Sequence, residues 1–562
     1  LIAAVAAAIL SGAILAVPTA ADESQKEEDA DALAFEEGAG AASLASRLAD
    51  LSASGWSGRW RLQGREPGYR QARVYQRLEW EAPGGPALYA LAEKDPGERS
   101  WRDFASAHAS AELAGFEAVA GDLRPGFAQG LVFSRHGWRG GAAMPGPRRD
   151  TRATGYRSSA ENHSVRGLSL RRRRPGFEAA VLAGFIRFDA RVDDGGRVTS
   201  LPQSGYHVSP AERRNADRLG GQAGVLRLRR ERGRLSFGTT LLKVRFSRMV
   251  DLRRPGRVEY AFHGRGQSTA GLDLTWRGRR FKGFGEAALQ DRGRLGWVGG
   301  LRLSSRRLTA GVLLRAYDPG YHAFFGGAPG AGGMKNERGV LVVIKHRWTG
   351  LSFYGDRYRR PERTYFYPMP GEHTLSGAEW RLARLVKPLR GRGPERLSRA
   401  LARVAAWNPK LSLRQRWKPV WKQGEALTAR SRKVRFDLQR KGEGRLAVIR
   451  LRLETGQVRT GFEADRAANA SVVARLRVGA LRCSGHLSRF RVDSWDARIY
   501  EFEYDLPGAV SIRALNGVGW RAYGLLELAR GPASASFRYR FERRRRRENG
   551  HLASLQFDLA GS

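Results

Sequence analysis

Ala533-Ser534-Ala535-Ser536-Phe537-Arg538-Tyr539-Arg540-Phe541-Glu542 alternates without a break, with Ala533, Ala535, Phe537, Tyr539 and Phe541 against Ser534, Ser536, Arg538, Arg540 and Glu542. Successive side chains of a strand point to opposite faces, so this stretch reads as a strand with one apolar and one polar side. The same period extends outward from it. Leu555, Phe557 and Leu559 oppose Ser554, Gln556 and Asp558 near the end of the chain. At the start, Trp56, Trp60 and Leu62 oppose Ser57, Arg59, Arg61 and Gln63, and Ala72, Val74, Leu78 and Trp80 oppose Arg73, Tyr75, Arg77 and Glu79. Ala105, Ala107, Ala109, Ala111 and Leu113 against Ser106, His108, Ser110 and Glu112 repeat the pattern with small residues.

Alternating segments of about ten residues, joined by turns rather than helical crossovers, are what a lipid-facing sheet requires, because only a closed sheet leaves no backbone group unpaired in hydrocarbon. A soluble sandwich alternates too, with shorter strands. Aromatic residues near segment ends fit the interfacial girdles of a membrane barrel. The expected fold is therefore all-β: a large antiparallel transmembrane β-barrel, with one strand for roughly every 20 to 25 residues and so on the order of 20 to 26 strands, even in number. The 69 glycines fit the turns such a fold needs.

Lys and Arg number 99 against 55 Asp and Glu, a net charge of +44. An arginine facing lipid at mid-depth costs about 2–4 kcal/mol, so these residues are expected in the lumen or the loops. Leu226-Arg227-Leu228-Arg229 and Leu446-Ala447-Val448-Ile449-Arg450-Leu451-Arg452-Leu453 put arginine on one face and aliphatics on the other, as a basic lumen would. Candidate partners are outer-membrane lipid, anionic solutes or lipopolysaccharide, nucleic acid, and the barrel-assembly machinery during biogenesis. Two functions follow: a pore or scaffold with a basic lumen, or a polyanion-binding envelope protein. The arginines are spread along the chain, as heavy arginine usage alone would leave them. The short runs Arg171 to Arg174 and Arg543 to Arg547 read as loop ends.

Beyond the N-terminus no apolar run reaches the roughly 18 residues of a membrane helix. The single Cys483 forms no intrachain disulfide and lies in no zinc-ligand cluster. No nucleophile elbow, HExxH pair, Walker loop or dinucleotide fingerprint is present, so neither an enzyme nor a cofactor is expected. The glycine-rich run Gly326-Gly327-Ala328-Pro329-Gly330-Ala331-Gly332-Gly333 lacks a following Gly-Lys-Ser/Thr and reads as a flexible surface loop. Residues 1–21, apolar and then small, read as a signal peptide. Residues 22–52 form an acidic lead, helical or disordered in the periplasm, and the barrel occupies 53–562, in the outer membrane of a bacterium.

Several blocks carry a resemblance. Ala90-Leu91-Ala92-Glu93-Lys94-Asp95-Pro96-Gly97-Glu98 is followed by Asp103-Phe104 and by Ala120-Gly121-Asp122-Leu123-Arg124-Pro125-Gly126-Phe127-Ala128-Gln129-Gly130-Leu131. Tyr156 to Asn162, Gly205-Tyr206-His207 and Tyr317-Asp318-Pro319-Gly320-Tyr321-His322 come next, and then Asp493-Ser494-Trp495-Asp496-Ala497-Arg498-Ile499-Tyr500-Glu501-Phe502-Glu503 with Gly517 to Arg521. In this order they resemble the barrel portion of the helix-hairpin-helix domain-containing outer-membrane proteins of Bacteroidetes and related phyla. The resemblance implies an outer-membrane barrel and an N-terminal helix-hairpin-helix region, but residues 22–52 are short, acidic and without paired glycine hairpins. The motif residues are expected to be structural or lumenal: Lys94, Asp95, Gly97, Glu98, Asp122, Gln129, Gly130, Glu161, Asn162, Tyr206, His207, Asp493, Asp496, Arg498, Tyr500 and Glu503. Asp95 and Glu98 share a Pro-Gly turn, but two carboxylates fall short of the oxygen count calcium prefers.

Overall fold

The computed structural model of the chain describes residues 55–561, apart from 65–70, 84, 136–142, 152–154, 332, 387–394, 443–445 and 546–548. The expected signal peptide and acidic lead lie outside the described residues.

The alternating segments pair, neighbour with neighbour, into one closed antiparallel barrel of 24 strands. The seam joins the first strand, Gly55–Gly64, to the last, Gly550–Gly561, with Trp60 opposite Phe557 and Leu62 opposite Leu555. Closure satisfies every strand edge internally, which is what hydrocarbon demands. The segment 533–542 forms the strand Ala533–Arg544, and its two faces separate as the alternation predicts: Ser536, Arg538 and Arg540 are buried inside, while Phe537 and Tyr539 are exposed outside.

An even strand number brings both ends of the barrel chain to one rim. Connections at that rim are mostly short, such as 175–176 and 531–532, where Gly176 (φ 73°) and Gly531 (φ 56°) supply the left-handed conformation of a tight turn. The connection 382–409 is the exception and carries a helix, Glu395–Ala406, which the alternation did not anticipate. The long connections 124–164, 189–218, 318–336 and 493–516 all leave the opposite rim.

Outward positions around the barrel are apolar and exposed, including Leu228, Phe237, Leu272, Leu301, Leu314, Ile344, Leu453, Leu487 and Phe557. Trp56, Trp80 and Trp276 lie near strand ends at the rim that holds the termini, and Trp421 and Trp520 near strand ends at the loop rim. In water, a continuous apolar exterior of this extent would drive association.

Candidate functional site in the lumen and its loops

The inner wall is not uniform. Strands Phe177–Phe188, Leu219–Arg232, Leu235–Asp251, Arg294–Ser304, Leu308–Tyr317 and Glu337–His346 turn apolar residues inward as well as outward; Leu182, Ile186, Val225, Val244, Leu313 and Val343 are all buried. Against them pack residues of the long connections, Phe127, Leu131, Phe133, Tyr321, Phe325 and Ala328, in a single core cluster inside the barrel. Phe133 and Phe325 stack with centroids 5.0 Å apart. Each such ring, taken wholly out of water, contributes about 1.5–3 kcal/mol.

Polar anchors fix this apolar plug. The buried Glu286 carboxylate accepts the backbone N–H groups of Gln129 (2.8 Å) and Leu131 (3.1 Å), and the Tyr321 hydroxyl donates to the Leu131 carbonyl (3.1 Å). Arg315 sits between Glu337 (2.5 Å) and Asp356 (2.9 Å). The described residues of the run 326–333 do not form the surface loop its composition suggests. Gly327, Ala328, Pro329 and Ala331 are buried, Ala331 N–H donates to Glu337 (3.0 Å), and a Cβ on Gly326 would come within 2.3 Å of the Met334 methyl group. Its glycines let the backbone approach the plug closely. Nor is Arg171 at a loop end: it is buried in the lumen beside Glu178 (2.8 Å).

On the other side of the lumen the filling is ionic. The hairpin Ile499–Glu503/Ser511–Leu515 enters from the loop rim. Ile499 and Leu515 rest on Val458, Ala467, Phe490 and Val492. Leu506 packs on Tyr523 and Leu525, and the centre of the hairpin is held by charges: Glu503 receives both Arg521 (2.5 Å) and Arg538, Arg538 reaches Asp505 (3.0 Å), and Arg521 reaches Glu542 (2.9 Å). Glu501 pairs with His486 (3.2 Å) and Asn469 (3.2 Å). Arg61 and Gln556 both donate to the Pro507 carbonyl at 3.1 Å, and a Cβ on Gly508 would meet the Arg59 guanidinium at 2.3 Å. Taking these charges out of water requires each to find its counter-charge. Two arginines do not. Among the described residues, Arg513 Nε and Arg540 Nη1 are buried without a hydrogen-bond partner, and neither residue has an ion pair. A small cleft beside the hairpin is lined by Arg416, Lys418, Lys433, Asp496, Arg498 and Tyr500.

At the loop rim a third cluster ties three connections together. His207 contacts Asp103 through Nδ1 and Asp189 through Nε2 (3.2 Å), with Glu161 at 3.9 Å, while its backbone N–H donates to Glu98 (3.0 Å). The hydrogen bonds that the ring donates to Asp103 and then to Asp189 raise the His207 pKa to about 11, which favours an imidazolium donating from both nitrogens. Burial, followed by the nearby carboxylates, pushes Glu161 up to about 8. Burial also opposes the charge of Asp189, yet the bonds from His207 and from the Asp217 backbone hold its carboxyl below the usual range. The sets Glu98/Asp103/His207 and Glu161/Asp189/His207 each bring ligand atoms within 4.8 Å, as a divalent cation would need. A metal would have to displace the His207 proton, which the two aspartates hold firmly. The arrangement works as a latch with its own cation.

The motif residues therefore divide. Glu98, Glu161 and His207 converge in the latch; Asn162, whose side-chain oxygen accepts the Asp189 N–H (2.8 Å), buttresses it. Gly97 (φ 89°) lies against Val208, leaving no room for a side chain. Asp95 instead pairs with Arg73 (3.1 Å), and Lys94 donates to the Ala72 carbonyl (2.9 Å). Gln129 and Gly130 belong to the apolar plug, where the Gly130 carbonyl accepts Gly327 N–H (2.9 Å). Asp122 pairs with Arg166 (2.9 Å), and Asp493 caps the Arg466 N–H (3.0 Å). Arg498 donates to the Tyr500 hydroxyl (2.8 Å), Asp496 lines the cleft, and Glu503 is the ionic hub. Tyr206 is exposed and joins none of these. Asp103, Asp189, Arg521 and Arg538 complete these networks without standing among the expected lumenal residues, because each gains its role from partners in other segments of the chain.

No protein-family model matches this chain, and no curated protein matches it. Similar solved structures include the translocation pore of the P pilus usher PapC, at 9% identity over 90% of this chain and 99% of that chain, TM-score 0.31. The outer membrane protein OpdK from Pseudomonas aeruginosa is similar at 13% identity over 77% of this chain and 98% of that one, TM-score 0.30. The ferric citrate transporter FecA in its unliganded form is similar at 7% identity over 90% and 78%, TM-score 0.35.

Proposed function

We propose that the protein is an outer-membrane β-barrel, a pore or scaffold with a basic lumen that its own loops keep closed at rest. The observation that carries this is the two-faced wall: a closed sheet with apolar residues and marginal tryptophans outward, and arginine–carboxylate networks inward. Such an exterior is stable in a bilayer and unstable in water. Arg540, buried, and Arg513, half-buried, have no ion pair among the described residues and support an interior that favours anions once it is open. The motif blocks support kinship with the barrels of helix-hairpin-helix domain-containing envelope proteins.

Two measurements test the reading. The protein should fractionate with outer membranes and migrate faster on gels before heating than after. Zero-current potentials across a salt gradient should show anion preference in any conducting form. A freely soluble product, or cation preference, would sink it.

A further inference from the structure

The exterior carries a charged feature that the lumen does not account for. The inference rests on the reading of the chain as an outer-membrane barrel, with the loop rim in the outer leaflet. Strands Glu425–Lys441, Leu446–Thr460, Glu463–Val478 and Leu481–Val492 are consecutive in the wall. Their outward positions are apolar at mid-strand, with Val434, Leu451, Leu453 and Leu487 exposed. Toward the loop rim the same outward face turns to arginine: Arg430, Arg432, Arg459, Arg466, Arg489 and Arg491, every one exposed. Register places Arg430 directly opposite Arg459, and Gln457 lies opposite both Arg432 and Arg466.

Like charges facing each other across a ladder are destabilising. No carboxylate among the described residues pairs with Arg430 or Arg459. Among the described residues Arg491 alone of the six has an ion pair, a loose one to Asp493 at 3.7 Å. The outward Arg357, on another part of the rim, differs in having its own carboxylate, Glu372 at 2.8 Å. Trp520 lies opposite Arg489 on the next strand, the placement of an interfacial anchor. Near the interface an outward arginine costs only about 0–1 kcal/mol, and guanidinium groups bind phosphate bidentately.

We infer that this arginine belt is a docking surface for the phosphorylated glycolipid headgroup of the outer leaflet, the lipid A class, whose phosphates neutralise facing arginines that the protein leaves unpaired. The occupant is a membrane lipid rather than a free anion, because the belt borders the apolar band directly and an acyl-anchored phosphate is delivered at that height.

The test uses the full chain purified in zwitterionic detergent, with bisphosphorylated lipid A, its dephosphorylated form and inorganic phosphate as probes, and lipid retention read by native mass spectrometry. The wild type should retain bisphosphorylated lipid A over the dephosphorylated form, and inorganic phosphate should not displace it. Arg430→Gln/Arg459→Gln/Arg466→Gln should weaken retention by on the order of a hundredfold, since each arginine near an anionic surface is worth roughly a factor of five. Arg357→Gln should change nothing. Equal retention by the triple variant, no preference for the phosphorylated lipid, or displacement by inorganic phosphate would overturn the inference. Heat-modifiable migration, read on the same samples, separates the cases: its absence in the wild type sinks the barrel reading, whereas its presence with no phosphate preference sinks this inference alone.

Discussion

The two sides of the lumen are filled by loops from the same rim, but with opposite chemistry. Along 177–346 the wall is apolar inward and meets an apolar plug built on Phe133, Tyr321 and Phe325. Along 425–558 it is charged inward and meets a hairpin held by Glu503, Arg521 and Arg538. The first filling is non-directional and is stabilised by area removed from water. The second is directional, and its net contribution depends on every charge keeping its partner. The apolar side should therefore behave as permanent structure. The ionic side is where a shifted counter-charge can release the hairpin.

The comparison can be broken from either side. Glu503→Ala removes the carboxylate that Arg521 and Arg538 share, leaving each with one remaining partner, and should cost up to about 3–5 kcal/mol, read as a lower unfolding midpoint in detergent with faster amide exchange confined to 499–515. Phe325→Ala should cost a similar or slightly smaller amount, within about 3–5 kcal/mol, and accelerate exchange in 318–336 but not in the hairpin. The double variant should be additive within about 0.5 kcal/mol, and strong coupling would show that the two fillings are one unit. Replacing the hub outright, Glu503→Leu with Arg521→Met, Arg538→Met and Asp505→Asn, should be neutral or stabilising by about 1–4 kcal/mol, because it removes the desolvation of four charges together while Glu542 keeps Arg544. A large loss there would contradict the distinction drawn between the halves.

The rim latch gives the smallest effect and a pH signature. His207 keeps its proton up to about pH 11 when docked against an ordinary 6.5, so its contribution is full below pH 6.5 and is lost as pH rises toward 11. Glu161 acts in the same direction: its contribution is full below pH 4.5 and is lost through about pH 8. Asp189 runs the other way, its contribution present above pH 3.8 and fading below its lowered folded value. Amide protection of 201–209, corrected for intrinsic exchange, should fall as pH rises from 6 to 9. His207→Asn should lower it and flatten the dependence that His207 supplies, and an unchanged slope would place the titration elsewhere.

Much of the wall was legible because a strand declares its two faces locally. The stretch 533–542, the seam strands and the small-residue strand 104–113 all follow their alternation, and 24 strands falls within the range that segment spacing allows. The filling was less legible. In Phe177–Phe188 both faces are apolar, Ala180, Leu182 and Ile186 inward and Val181 and Phe185 outward, and that loss of contrast is the one local sign of an apolar plug. The run 326–333 misleads because glycine serves a flexible loop and a tightly approached backbone equally well. The latch was half visible: Glu98, Glu161 and His207 stood out in separate motifs, while Asp103 and Asp189 meet the His207 ring only once three separate connections fold together.

The central claim, that a membrane-inserted barrel is held shut by its own ionic hairpin, is tested most directly by conductance in planar bilayers of the wild type and of a variant with 494–515 replaced by a short Gly-Ser linker. The wild type should be nearly silent, and the shortened variant, still heat-modifiable, should conduct with an anion-favouring zero-current potential. Equal conductance in the two proteins, or silence in a correctly folded shortened barrel, would contradict the account.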